Sequence, residues 1–351
     1  MKNKRTKAFL IGIVSALFLT GCGNNSGRAN VDAGMEAIAA MDYVSAMESF
    51  QMAQDKGESP RLISRGMGIA SMGLTDYAAA VEYFLQCLSY SDGVVEDMDY
   101  DVNYYLAASY CKLGEYDKAE QIYTAIINLR KDETEAFYLR GNARLELGME
   151  ALAISDFETA LQLEPENYDM LIQIYKVLQA HGKSQEGLEY LTFALKSREK
   201  QMSSYDKGMI YYYLGEYHQA CVSLEEAKGG KRDAEVYLYL GLSYEATGDY
   251  NYAITNVYTS YLKSHEGNAP IYNQLGLCYL QQGNYDLALS AFQSAMQIPD
   301  NGMMQTLKFN EVVAYEYLGM YTQATALLNS YLQTYPDDEA ALREYEFLKT
   351  R

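Results

Sequence analysis

The chain is a succession of short amphipathic segments. Each carries apolar residues at i, i+3, i+4 and i+7, the spacing that lines one face of an α-helix. At the breaks a phrase recurs: CKLGEYDKAEQIY from residue 111, YYYLGEYHQACVSLEEAKGG from 211, EATGDYNYAITNVY from 245 and QQGNYDLALSAF from 281. Aligned on the alanine that ends the phrase, the chain gives Ala46, Ala80, Ala119, Ala153, Gly187, Ala220, Ala253, Ala288 and Ala324, at intervals of 34, 39, 34, 34, 33, 33, 35 and 36 residues. Self-similarity at a fixed period marks stacked helical hairpins rather than a globular core, and overrides what the length of 351 residues suggests about domain number.

The fourth repeat, TEAFYLRGNARLELGMEALAISDFETALQLEPEN (134–167), shows the residue types. It has Phe137 at position 4, Gly141 at 8, Gly148 at 15, Ala153 at 20, Phe157 at 24, Ala160 at 27 and Pro165 at 32. This pattern resembles the tetratricopeptide repeat, whose period is about 34. Each choice has a physical reason. Gly141, Ala153 and Ala160 permit close approach of the two helices. Gly148 closes the first helix in a left-handed conformation, Phe157 fills the wedge toward the next repeat, and Pro165 stops the second helix. The recurring phrase is then the turn. Gly215, Tyr217 and Ala220 supply it in repeat six, with equivalents at Gly114, Tyr116 and Ala119, at Gly248, Tyr250 and Ala253, at Gly283, Tyr285 and Ala288, and at Gly319, Tyr321 and Ala324.

The fold expected is all-α, a right-handed solenoid of nine repeats (27–60, 61–94, 100–133, 134–167, 168–201, 201–234, 234–267, 269–302 and 305–338). A capping helix follows over 339–351, making about nineteen helices with no long linker. Two departures stand out. Repeat five has Ser184 and Gly187 in place of Tyr and Ala, which predicts a looser turn. The 39-residue interval places an acidic insertion, SDGVVEDMDYD, at 91–101, expected to alter how the first two repeats stack on the rest.

The amino terminus carries Lys2, Lys4, Arg5 and Lys7, a 12-residue apolar run from Ala8 to Leu19, and then Leu19-Thr20-Gly21-Cys22. The run is well short of the roughly 20 residues that span a bilayer, so it has the layout of a secretory signal. An ordinary signal peptide with an incidental cysteine would share that layout, but the last four residues resemble the bacterial lipobox. The resemblance implies a signal over 1–21, lipidation of Cys22, a flexible tether over 22–30 and residence at the extracytoplasmic face of a cell membrane. Gly23 gives no inner-membrane retention signal. Loss of 1–21 removes four positive charges and leaves 24 Lys and Arg against 47 Asp and Glu, net −23. Such a surface repels nucleic acid, keeps the chain soluble and favours basic partners.

Chemistry is sparse. Cys87, Cys111, Cys221 and Cys278 show no CxxC spacing and read as small core residues. His218 and Cys221 lie three apart, but two ligands do not make a metal site. Gly182-Lys183-Ser184 lacks the preceding glycine of a phosphate loop, since residue 177 is Val177. The expectation is therefore a protein with no enzymatic activity, cofactor or metal.

What remains is surface. In the repeat family, positions 2, 5, 9, 12 and 13 of the first helix line the concave side. Carried over, they give Tyr104, Tyr138, Asn142, Met202, Tyr205, Met209, Tyr212, Tyr213 and Asn273, a groove suited to peptide segments. Some of these side chains can instead pack against neighbouring helices. The resemblance implies a lipid-anchored scaffold for envelope proteins in assembly, secretion or cell-wall enzyme recruitment. The alternative is a lipoprotein that captures a saccharide or peptide; the absence of tryptophan weakens the saccharide reading, and 35 tyrosines keep it open.

Overall fold

The computed structural model describes residues 27–265 and 267–351, so Cys22 and the signal segment lie outside the described residues. The described residues form nineteen helices in a repeat arrangement and no strand. Packing divides the chain into two compact units, up to Asp156 and from Phe157 onward, and the division falls within a helix rather than at a linker.

The first unit contains the hairpins α1 (Ala29–Ala39) with α2 (Tyr43–Asp55), α3 (Pro60–Gly73) with α4 (Tyr77–Ser89) and α5 (Asp97–Leu113) with α6 (Tyr116–Leu129). Helix α7 (Thr134–Glu146) and the start of α8 (Glu150–Leu163) complete it. The second unit pairs α9 (Tyr168–Ala180) with α10 (Ser184–Arg198), which ends in a 3-10 turn, and α11 (Ser204–Leu214) with α12 (Tyr217–Ala227). It continues with α13 (Asp233–Ala246) and α14, a helix built of Tyr250–Tyr252, a π turn over Ala253–Tyr258 and Thr259–Ser264. The last hairpins are α15 (Ala269–Gln281) with α16 (Tyr285–Met296) and α17 (Met304–Tyr317) with α18 (Tyr321–Thr334), and the chain closes on α19 (Glu339–Leu348).

All nine turns have one geometry. Position 15 is left-handed in every repeat: Met41, Thr75, Gly114, Gly148, Gly182, Gly215, Gly248, Gly283 and Gly319 have φ between 59° and 86°. The N–H of the following residue donates back to the carbonyl five residues earlier, as Glu216 does to Tyr211 at 2.9 Å and Asp76 to Ser71 at 2.9 Å, which satisfies carbonyls the helix end leaves free. An aspartate after the left-handed residue then caps the second helix, its side chain being short enough to reach the N–H groups of the first turn. Asp42, Asp76 and Asp249 accept from the N–H of Ser45, Ala79 and Tyr252 at 3.0, 3.0 and 3.1 Å.

Close approach within a hairpin places position 8 of the first helix under position 24 of the second. A Cβ added to Gly34, Gly68, Gly208 or Gly276 would lie 2.6, 2.5, 2.5 or 2.4 Å from Phe50, Phe84, Leu224 or Phe292. The large residue thus fills the space its own repeat's glycine vacates, and Phe50 also covers Gly66 of the next repeat. Repeat five inverts this arrangement and corrects the expectation of a loose turn. Its position 8 is Tyr175, and Gly187 gives way to it: a Cβ there would sit 2.9 Å from the ring and 3.2 Å from the Tyr175 Cα. The turn itself is regular, with the Lys183 N–H 2.8 Å from the Leu178 carbonyl.

The π turn in α14 accounts for the 35-residue interval that follows Ala253. One extra residue is absorbed inside the helix, so that Tyr258 rather than Val257 packs on Gly241, whose added Cβ would be 2.1 Å from the ring. The acidic insertion is anchored rather than free. Arg61 pairs with Glu96 and Asp99 at 2.7 and 2.6 Å, Arg65 with Asp101 at 2.6 Å and Arg130 with Asp97 at 2.7 Å. At the other end, α19 buries Ala341 and Leu348 against Val312, Leu328 and Tyr331, and the Asp338 carboxylate caps it through the N–H groups of Ala340 and Ala341.

Candidate interaction surface

The nine groove residues predicted from sequence separate into two groups. Tyr138, Met202, Met209 and Asn273 are interior, with 2, 6, 2 and 7% of their surface exposed, which corrects their assignment to a groove. The reasons are local. Met202 precedes α11, so position 2 is in the connector, where it joins Met209 in a core with Tyr168, Leu171, Tyr175 and Leu191. The Asn273 amide oxygen accepts from Asn310 Nδ2 at 2.8 Å, so α15 and α17 share it as a structural bond. Burial pushes the Tyr138 hydroxyl up to about 12, as expected of a phenol shielded from water.

Tyr104, Asn142, Tyr205, Tyr212 and Tyr213 are half-buried. Tyr104 lies 6.1 Å from the Tyr123 ring, and burial, then the Glu133 carboxylate, raise its hydroxyl pKa. Both amide atoms of Asn142 are enclosed, beside the Tyr138 hydroxyl.

The largest gathering of predicted residues is in repeat six, where Tyr212 and Tyr213 meet rings of repeats five and seven. The Tyr212 ring makes edge contacts with Tyr213, Tyr217 and Tyr239 at 5.2, 5.8 and 4.9 Å between centroids. Tyr213 lies 5.5 Å from Tyr175, its hydroxyl is 2.6 Å from that of Tyr239, and the Lys176 ammonium sits 5.0 Å from its ring. Burial pushes Tyr212 up to about 12 and raises Tyr213 further, so these groups are neutral donors and acceptors at physiological pH. Tyr205 accepts from Arg232 at 3.0 Å. The mutual stacking fixes ring orientations in advance, which lowers the entropic cost of binding a partner.

Tyr175, Lys176, Tyr239, Arg232 and Asp169 were missed by position-by-position transfer. Asp169 and Lys176 stand at positions 2 and 9 of repeat five and fall under the same rule as the predicted residues, whereas Tyr175, Tyr239 and Arg232 lie at positions outside it, signalled only by the alternation of Tyr237 and Tyr239 and the adjacency of Tyr175 and Lys176. A second feature was also missed: in the first unit Arg140 and Arg144 converge on Asp156, whose side chain is 4% exposed. Arg140 also donates to Thr124 at 3.1 Å and Arg144 to Glu120 at 2.7 Å, which closes a charge-balanced cluster.

The thiols match their expected core role. Cys87, Cys221 and Cys278 are buried and Cys111 is half-buried, and burial pushes Cys111 and Cys221 up to about 11. Among the described residues no group of three or more His, Cys, Asp or Glu is placed to hold a metal, and no helix is long and apolar enough to cross a membrane.

Tetratricopeptide-repeat family models match residues 106–136, 134–167, 235–267, 269–298 and 309–338. Among solved structures, yeast Tom70 is similar in fold with a TM-score of 0.51 and 14% identity, covering 92% of this chain and 88% of that one. A tetratricopeptide repeat protein from Parabacteroides merdae aligns with a TM-score of 0.47 and 16% identity over 73% of this chain and 98% of its own. Human RNA polymerase II-associated protein 3 is 27% identical over 128 residues, 32% of this chain, and the match spans 19% of that protein's length.

Proposed function

Because the chain is a tetratricopeptide-repeat protein, we propose that it is a non-catalytic scaffold, held by a lipid on Cys22 at the outer face of a bacterial membrane, that binds envelope proteins through peptide segments. The observation that carries the binding role is the pre-stacked, half-buried tyrosine group of Tyr212, Tyr213 and Tyr239 beside Lys176. Aromatic rings held in place combine large apolar area with hydroxyl groups at low ordering cost, the composition of binding hot spots. The anchor rests on Leu19-Thr20-Gly21-Cys22 and the basic, apolar segment before it.

Two measurements test the two halves. A photo-crosslinking residue at Tyr212 in the native membrane is expected to capture one or more envelope proteins, and Tyr205→Ala with Tyr213→Ala to abolish the capture while the thermal transition persists. Capture that survives those substitutions removes this surface as the binding site. Cys22→Ser is expected to move the chain from the membrane to the soluble fraction, and an unchanged distribution removes the lipid anchor.

A further inference from the structure

The connector from α12 to α13 runs Lys228-Gly229-Gly230-Lys231-Arg232, and its last side chain reaches back past a whole repeat. Arg232 Nη1 donates to Asp169 Oδ1 at 2.6 Å and Nη2 donates to Oδ2 of the same carboxylate, on the first turn of α9, 63 residues earlier in the chain. Nη1 also donates to the Tyr205 hydroxyl at 3.0 Å, and the guanidinium carbon stands 4.9 Å from the centre of the Tyr205 ring. A two-oxygen carboxylate face, a phenol acceptor and an aromatic face together match the planar fork of a guanidinium and discriminate against the point charge of lysine.

We propose that Asp169 and Tyr205 form an arginine-recognition site that Arg232 occupies in cis, and that an arginine of an extended partner segment displaces it. This rests on the reading of the chain as a peptide-binding scaffold and supplies the chemistry of one contact. Three observations support displacement. The Arg232 and Asp169 side chains are each 46% exposed, so solvent and an incoming residue reach both. An ion pair this exposed is weak, and a competitor of the same chemistry needs only to match it. The backbone need not move, because Gly229 is held by its N–H on Asp233 at 2.6 Å while the Arg232 side chain alone swings away. The net charge of −23 after loss of 1–21 favours the approach of a basic segment.

The test uses the full chain and the capped, fluorescently labelled peptide Gly-Ser-Arg-Ser-Gly, with counterparts carrying citrulline or lysine at the centre, read by anisotropy. Arg232→Ala is expected to bind the arginine peptide about three- to fivefold more tightly than the wild type, the range an exposed ion pair sustains. The citrulline peptide should bind about three- to fivefold more weakly to that variant than the arginine peptide, because it loses the charge that two carboxylate oxygens face. Adding Asp169→Asn should return the affinity to the wild-type value or below. Equal binding of arginine and citrulline peptides, or no gain in Arg232→Ala, overturns the proposal, as does preferred binding of the lysine peptide. Thermal unfolding of each variant verifies that the array persists. If the site fails while the wild-type chain still crosslinks partners through Tyr212, the scaffold reading survives without it.

Discussion

Thr75 stands at φ 64°, in the left-handed turn that Gly114 fills at φ 79° one repeat later. A β-branched residue in this region meets steric strain that glycine escapes, and Thr75 keeps the conformation because the Asp76 N–H bond to Ser71 and the Asp76 cap both depend on it. Thr75→Gly is therefore expected to stabilise the array by about 0.5–1 kcal/mol, the relief of strain exceeding the added freedom of the unfolded chain. The reverse change, Gly114→Thr, is expected to cost about 1–2 kcal/mol. Denaturant midpoints of the two variants check the pair, and opposite shifts are the required result.

Gly276 and Gly187 make a second comparison. A methyl on Gly276 meets the Phe292 ring, whereas one on Gly187 meets both the Tyr175 ring and its backbone, which cannot rotate aside. Gly276→Ala should cost about 1–3 kcal/mol, and Phe292→Leu should recover part of it. In repeat five, Gly187→Ala alone should be at least as costly, while Gly187→Ala with Tyr175→Gly restores the pattern of the other repeats and should show a favourable coupling energy. A double-mutant cycle by thermal unfolding measures it, and simple additivity excludes the contact as the cause.

The regularity of the turns explains why so much of the fold was legible in the sequence. The left-handed turn at position 15, glycine in seven of the nine repeats, and the count of nineteen helices follow from local rules that repeat along the chain, so period and residue type were enough. Thr75 escaped because Gly73, two residues earlier, serves packing instead of the turn. Its missing Cβ leaves room for the Tyr43 ring, 2.4 Å away from where that atom would be. Met209 and Tyr138 escaped because a helical position specifies direction on its own helix, not how near the next repeat lies. The Asp169, Tyr205 and Arg232 site joins repeats five and six through one connector side chain, and no periodic rule encodes the reach of Arg232 back to Asp169.

Asp156 holds the buried cluster of the first unit together. Both of its oxygens accept from guanidinium groups, Oδ1 from Arg140 at 2.7 Å and Oδ2 from Arg144 at 2.8 Å, while the arginines themselves are only 12 and 13% exposed. Removing one partner of a buried pair leaves charge without compensation, so Asp156→Ala should destabilise by about 3–5 kcal/mol. Replacement of the set by apolar residues, Arg140→Leu with Arg144→Met and Asp156→Leu, should restore much of that loss, since burial of paired charge is itself costly. Chemical denaturation monitored by circular dichroism distinguishes the outcomes. A mild effect of Asp156→Ala would show that water compensates the two arginines.

The Glu316 and Glu344 carboxyl groups face each other where α19 covers the last hairpin. Burial, and then the hydrogen bond and charge of Glu344, push Glu316 up to about 8, so the folded chain keeps a proton that the unfolded chain releases near the ordinary value of 4.5. Its contribution to stability is fully present below pH 4.5 and is lost as pH rises through about 8. Asp338, at the cap of the same helix, acts in the opposite sense. Burial alone would raise it, but hydrogen bonds from Tyr331 and from the N–H groups of Ala341 and Ala340 hold it below its ordinary value, so its contribution is lost only at lower pH. The melting temperature of the full chain should therefore fall between about pH 5 and 8, and amide protection factors across 339–348, which divide out the intrinsic acceleration of exchange with pH, should decline over the same range. Glu344→Gln replaces the opposing carboxylate with an amide donor and should flatten both profiles. If the slope persists in that variant, other groups titrate in this window and the carboxyl pair does not hold the terminal helix.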